Sequence, residues 1–103
     1  MHTRVTRYEL KPNRSTAVLE LVRNHWIHDI SAAEGFVAFE MIETDADELI
    51  GILTFETEEQ SLNALEKAKE WVFTYMGDHL ASPSIMFMGT VKVSTRDSAN
   101  PPT

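Results

Sequence analysis

A chain of 103 residues has room for one domain, and with 43% hydrophobic against 24% charged side chains it has the makeup of a globular protein rather than a disordered one. Sixteen acidic against nine scattered basic side chains leave a formal charge of −7, which makes nucleic acid and anionic membrane surfaces poor partners, since both require clustered positive charge. The absence of cysteine excludes disulfide and thiolate chemistry; no apolar run reaches the roughly 20 residues of a membrane span, MHTRVTRYEL lacks the apolar core of a secretion signal, and a cytoplasmic location is the expectation.

In chain order the pattern reads strand, helix, strand, strand, helix, strand. Residues 3–10, TRVTRYEL, alternate weakly and stop at Lys11-Pro12, where proline discourages a continuing ladder. A helix follows, with Asn13 or Ser15 as its cap, and is expected to reach about Ile30. At about 100° per residue, Ala17, Val18, Leu19, Leu21, Val22, Trp26 and Ile30 sweep one broad side, while Glu20, Arg23 and Asn24 take the other. His25 falls near the middle of the side expected to be buried, with Asp29 one turn on.

Gly35 breaks the chain before GFVAFEMIE, and ELIGILTFE follows the polar turn Thr44-Asp45-Ala46-Asp47, so residues 36–43 and 48–55 read as a hairpin. Thr57 and Gln60 have the spacing of a capping box for a second helix. The apolar side of that helix holds Ala64, Leu65, Ala68, Trp71, Val72, Tyr75 and Met76, and Gly77 is placed to end it as a left-handed cap. IMFMGTVKV, residues 85–93, is the last strand. One domain over residues 1–94 and a flexible tail over 95–103 are the expected organisation.

The strands carry a further message. An antiparallel sheet with helices on one face usually alternates apolar with polar residues, but Phe36, Ala38, Glu40 and Ile42 in one phase oppose Val37, Phe39 and Met41 in the other. The last strand repeats this with Ile85, Phe87, Gly89, Val91 and Val93 against Met86 and Met88. Such a patch needs a second layer, and with both helices used on the first face, the expected cover is the sheet of another copy.

The order of elements, the phrase AAEGFVAFEMI leading into the hairpin, and LTFETEEQSLNAL leading from its second strand into a helix resemble the antibiotic biosynthesis monooxygenase family. The resemblance covers about residues 3–93. It implies an α+β, ferredoxin-like βαββαβ sandwich whose sheets pair into a dimeric α+β barrel. Function follows less directly, because the superfamily mixes cofactor-free oxygenases, haem-degrading enzymes, decarboxylases, isomerases and proteins without known activity. The haem-degrading pattern is not matched: Thr6, Ala64 and Thr74 stand where its asparagine, tryptophan and haem-ligating histidine would fall. Trp71 and Tyr75 resemble the aromatic pair on the second helix of the quinone-forming oxygenases.

The resemblance therefore implies a cofactor-independent monooxygenase acting on a small phenol- or quinol-type aromatic, with neither metal nor flavin. A histidine shielded beneath a helix stays neutral because burial penalises its charge, so His25 is the candidate catalytic base, with Asp29 orienting its ring. Trp71 and Tyr75 would position the substrate ring, and His79 stands at the pocket mouth. The other reading keeps His25 as a partly buried helical neighbour of Asp29 and the aromatics as core, in a non-enzymatic dimeric binding or accessory module. Zinc is disfavoured because His25, His28 and Asp29 do not converge around a helix, and the acidic loop Asp45-Asp47-Glu48 lacks the glycine and distal glutamate of a calcium loop.

Overall fold

Four strands are formed, β1 (His2–Glu9), β2 (Phe36–Asp45), β3 (Glu48–Phe55) and β4 (Ile85–Thr90). They make one sheet in the order β2-β3-β1-β4, with every neighbouring pair antiparallel. The computed structural model describes residues 1–96; of the expected tail, residues 97–103 lie outside the described residues. Two helices link the strands, so the architecture is the α+β, ferredoxin-like sandwich expected from the element order.

The first helix is continuous but uneven: α-helical over Ser15–Leu21, a wider π turn over Val22–Trp26, and α-helical again over Ile27–Ser31. Its buried stripe is Val18, Val22, Trp26 and Ile30, spaced by four and at most 6% exposed. A regular helix would let residues at that spacing drift around its axis; a π turn holds more residues per turn and keeps them in line. The second helix runs through Glu58–Asn63, Leu65–Trp71 and a π turn at Val72–Met76. Its start is the capping box read from the sequence: Gln60 N donates to Thr57 Oγ1 and Thr57 N to Gln60 Oε1, both at 3.2 Å. Gly35, at φ +80°, packs against this box so tightly that a Cβ there would collide with the Gln60 side chain.

Strand register sorts the side chains onto two faces. Arg4 pairs with Leu53 and Met88, Thr6 with Gly51 and Met86, and Tyr8 with Leu49, which places these residues together on the helix side. On that side Leu49, Leu53 and Phe55 join Val18, Val22, Ile30 and Trp71 in the core. The opposite face carries Val5, Ile50, Ile52, Ile42, Ile85 and Phe87. A bulge between Phe36 and Ala38 shifts the phase of β2, so Phe36 joins Phe39 against the core instead of sharing a face with Ala38 and Glu40.

Several local expectations change. Neither Asn13 nor Ser15 caps the first helix: Arg14 occupies the cap position without a side-chain bond, Ser15 donates its hydroxyl to Glu43, and Asn13 adopts φ 64° while its N–H reaches Asp47. Gly77 is right-handed, at φ −51° and ψ −44°, and the chain tightens into a 3₁₀ turn over Gly77–His79 rather than stopping on a left-handed cap. β4 ends at Thr90, three residues short of the expected limit, because β1, its pairing partner, begins at His2 opposite Thr90.

Candidate functional site

Between sheet and helices lies a cavity of about 450 Å³. Its floor is β1, which sends Arg4, Thr6 and Tyr8 inward, and β3, where Gly51 leaves room that a side chain would take. Trp26 of the first helix and Ala68 and Trp71 of the second form the roof. Exposed Lys69, Phe73, Pro83 and Ser84 also line it, and they mark the side on which it meets solvent.

The polar groups of this lining are unusual. Arg4 is only 3% exposed, and its Nη2 has no hydrogen-bond partner among the described residues; burial pushes the guanidinium below its usual pKa, with Tyr8 opposing the shift. Trp71 Nε1 is likewise buried without a partner. Burial raises the Tyr8 hydroxyl above the usual tyrosine range, against the pull of a hydrogen bond with Thr6 and of the Arg4 charge, so Tyr8 stays a neutral hydrogen-bonding group. Most buried polar groups in proteins are satisfied, so two unpartnered donors on residues lining one cavity single it out. The remaining lining is mostly apolar, as ligand cavities of this size generally are.

An aromatic ladder leads from the cavity to the surface. Trp26 meets Phe39 edge-on at 6.2 Å and Trp71 at 5.3 Å; Trp71 meets Tyr75 at 5.1 Å, and Tyr75 stacks on His25 at 5.9 Å with the rings 11° from parallel. The ladder decides where the sequence-derived candidates fall. Trp71 lines the cavity. Tyr75, 42% exposed, stands behind it, and His25 lies further out, exposed, on the solvent end.

The expectation that His25 sits beneath the first helix is therefore corrected. The buried stripe is narrow and spaced by four, and His25 is one residue off it, turned by about 100° from Trp26. Asp29 is also exposed, shares no hydrogen bond or ion pair with His25 among the described residues, and accepts a 3.5 Å bond from Lys67 Nζ only at its backbone oxygen. His79 does not line the cavity either: its Nδ1 accepts from Arg14 Nη1 at 3.1 Å and its carbonyl from Lys11 N at 2.8 Å, tying the end of the second helix to the start of the first. Among the described residues no group of three metal-ligating side chains converges.

Arg4, Thr6 and Tyr8 are the site residues that the sequence reading passed over. Their signal was the two-residue period of TRVTRYEL, which puts an arginine in phase with Leu10, a core residue 2% exposed.

Comparison with known proteins supports this architecture. No protein-family model matches the chain, and no curated protein matches it. Among solved structures, the ActVA-Orf6 monooxygenase of Streptomyces coelicolor, in complex with the ligand Nanaomycin D, is similar at TM-score 0.75 and 16% identity over 90% of this chain and 88% of that one. SnoaB, a cofactor-independent oxygenase of Streptomyces nogalater (mutant N63A), is similar at TM-score 0.72 and 14% identity over 90% and 94%. A Nitrosomonas europaea protein named among the antibiotic biosynthesis monooxygenases is similar at TM-score 0.74 and 19% identity over 88% and 98%. The chain thus has the fold of the antibiotic biosynthesis monooxygenase-like proteins.

Proposed function

We propose that this protein is a homodimeric monooxygenase that needs no cofactor and acts on a small phenol- or quinol-type aromatic held in the cavity. The observation that carries the reading is the cavity itself, about 450 Å³, mostly apolar, flanked by two indoles and furnished with the donors of Arg4, Tyr8 and Trp71. What SnoaB and ActVA-Orf6 are named as adds support from the same fold. The chemistry needs no bound redox group: an ionised phenol is electron-rich enough to reduce dioxygen, and a ring C–H becomes a carbonyl as phenol and O2 give quinone and water. One oxygen atom enters the ring, the other leaves as water, and all four electrons come from the substrate.

Trp26 and Trp71, packed on each other at 5.3 Å, would form one indole wall against the planar ring, with Tyr75 backing Trp71 and His79 holding the helix end by its bond to Arg14. His25 and Asp29 lie outside the cavity, so the proposal does not route the substrate proton through them. The dimer would form through the face of Val5, Ile42, Ile50, Ile52, Ile85 and Phe87, where Ile42 is 44%, Ile85 47% and Phe87 68% exposed. A contiguous apolar face of this kind is seldom left open in a soluble monomer. No described helix is long and apolar enough to cross a membrane, and a cytoplasmic dimer belongs to the same proposal.

The test is oxygen uptake by chelator-treated protein offered a panel of naphthols, with quinone formation followed by absorbance. Uptake matched by product is expected. A second reading, a dimeric small-molecule-binding module, is favoured by one observation: among the described residues no histidine, aspartate or glutamate lines the cavity. Quenching of Trp71 fluorescence by the panel without oxygen uptake would establish that reading instead.

A further inference from the structure

We propose that the cavity takes its ligand as an anion, an ionised oxygen on an aromatic ring seating against Arg4 and the Trp71 indole N–H. This rests on the cavity being the ligand site, as proposed above, but not on any reaction with oxygen.

A buried cation normally has an acidic partner, because removing charge from water costs several kcal/mol that only a close counter-charge and hydrogen bonds offset. Arg4 makes no ion pair among the described residues, although it is 3% exposed. The chain is rich in candidate partners, with sixteen acidic side chains and a net charge of −7. None of those among the described residues lines the cavity. The titratable groups that do are Arg4 and Tyr8 from β1 and Lys69 from the second helix; the first helix, β2, β3 and β4 contribute none. A positive cavity inside an acidic protein is complementary to an anion.

The two unpartnered donors fit the same guest. A guanidinium presents a planar fork of N–H groups that suits a carboxylate or a phenolate, and an indole N–H can only donate. Lys69, exposed where the cavity meets solvent, would favour entry of a negative ligand. For a phenol this arrangement has a chemical consequence. With no carboxylate or imidazole among the described lining residues to take its proton, the fixed positive charge of Arg4 lowers the pKa of the bound hydroxyl, and the proton leaves to solvent as the O–H bond breaks. Arg4 then holds the oxygen that keeps the electron pair.

The experiment measures binding of 4-nitrophenol, 4-nitrobenzoate and the uncharged 4-nitroanisole to the full chain, by quenching of tryptophan fluorescence and, for nitrophenol, by the visible absorbance of its anion across pH. Expected is about tenfold or greater preference for the anions over nitroanisole, the gap between a charge-assisted and a neutral hydrogen bond. Bound nitrophenol should also ionise at lower pH than free nitrophenol. Arg4→Met should abolish the preference and the ionisation shift, and Arg4→Lys should retain part of both. Equal binding of nitroanisole, or an anion preference that survives Arg4→Met, overturns the proposal. Should Arg4→Met fail to fold, Gly51→Val replaces it: filling the cavity must remove anion binding, and anions that still bind are held elsewhere, which overturns the proposal equally. None of these readings depends on turnover, so an inactive protein that prefers anions removes the oxygenase reading and leaves this one standing.

Discussion

β3 and β4 are built from equally apolar sequence, ELIGILTF and IMFMGT, yet they end in opposite states. In β3, Leu49 and Phe55 are 0% exposed and Leu53 5%, whereas every residue of β4 is exposed, Phe87 to 68%. The difference is coverage. β3 lies in the interior of the sheet with helix side chains over one face; β4 is an edge strand whose helix side borders the cavity and whose other side faces out. Hydropathy says that a strand needs cover, and only the packing says whether this chain supplies it.

The largest expected effect lies at the closed end. Phe55→Ala should cost about 3–5 kcal/mol in denaturant unfolding, the range for truncating a fully buried aromatic, whereas Met86→Ala beside the cavity should cost a small fraction of that. Equal losses would erase the contrast between the two strands. Gly35→Ala comes next, at about 2 kcal/mol or more, since it forces a left-handed residue with a Cβ against Gln60 and disturbs the capping box.

At the open end the effects are on assembly and binding. Phe87→Glu should shift the protein in sedimentation from a dimer toward the 11.7 kDa chain, while changing the unfolding of that chain little. A wild-type protein that sediments as a single chain would instead show that β4 stays bare. Gly51→Val should leave the fold within about 1 kcal/mol and reduce ligand binding, because a Cβ at residue 51 meets Phe39, Tyr8 and Met41 at 3.6–3.7 Å, ordinary contact distance.

The smallest effect is electrostatic. A hydrogen bond from Thr44, and then Arg7 at 2.7 Å, hold Glu48 below the usual glutamate range. A depressed folded-state pKa means that the native state binds the proton less tightly than the unfolded one, so this contribution is present above the ordinary glutamate pKa and fades as pH falls through the folded value. Glu48 is at the surface, so the stability gap between wild type and Glu48→Gln should be slight at neutral pH and should close in acid.

The element order, the hairpin and the Thr57–Gln60 capping box were legible because each depends on residues close in sequence or on a simple period. His25 was misplaced for a related reason. A helical wheel assumes a constant 100° per residue, and the π turn at Val22–Trp26 departs from it, narrowing the buried stripe to Val18, Val22, Trp26 and Ile30. The period of β1 puts Arg4 in phase with Leu10 and Arg7, three positions on, in the other phase, but nothing local says that the inward phase borders a cavity while Arg7 pairs with Glu48 at the surface.

The sequence by itself determined the βαββαβ order and the surplus of apolar strand surface, since strand and helix periods and turn chemistry are written in neighbouring residues. Only the tertiary structure decided that Trp26 and Trp71 close over β1 while His25 stays outside, and that Arg4 has no acidic partner among the described residues. Those outcomes rest on which side chains from distant segments meet, and the strand register, the π turns and the β2 bulge govern that meeting.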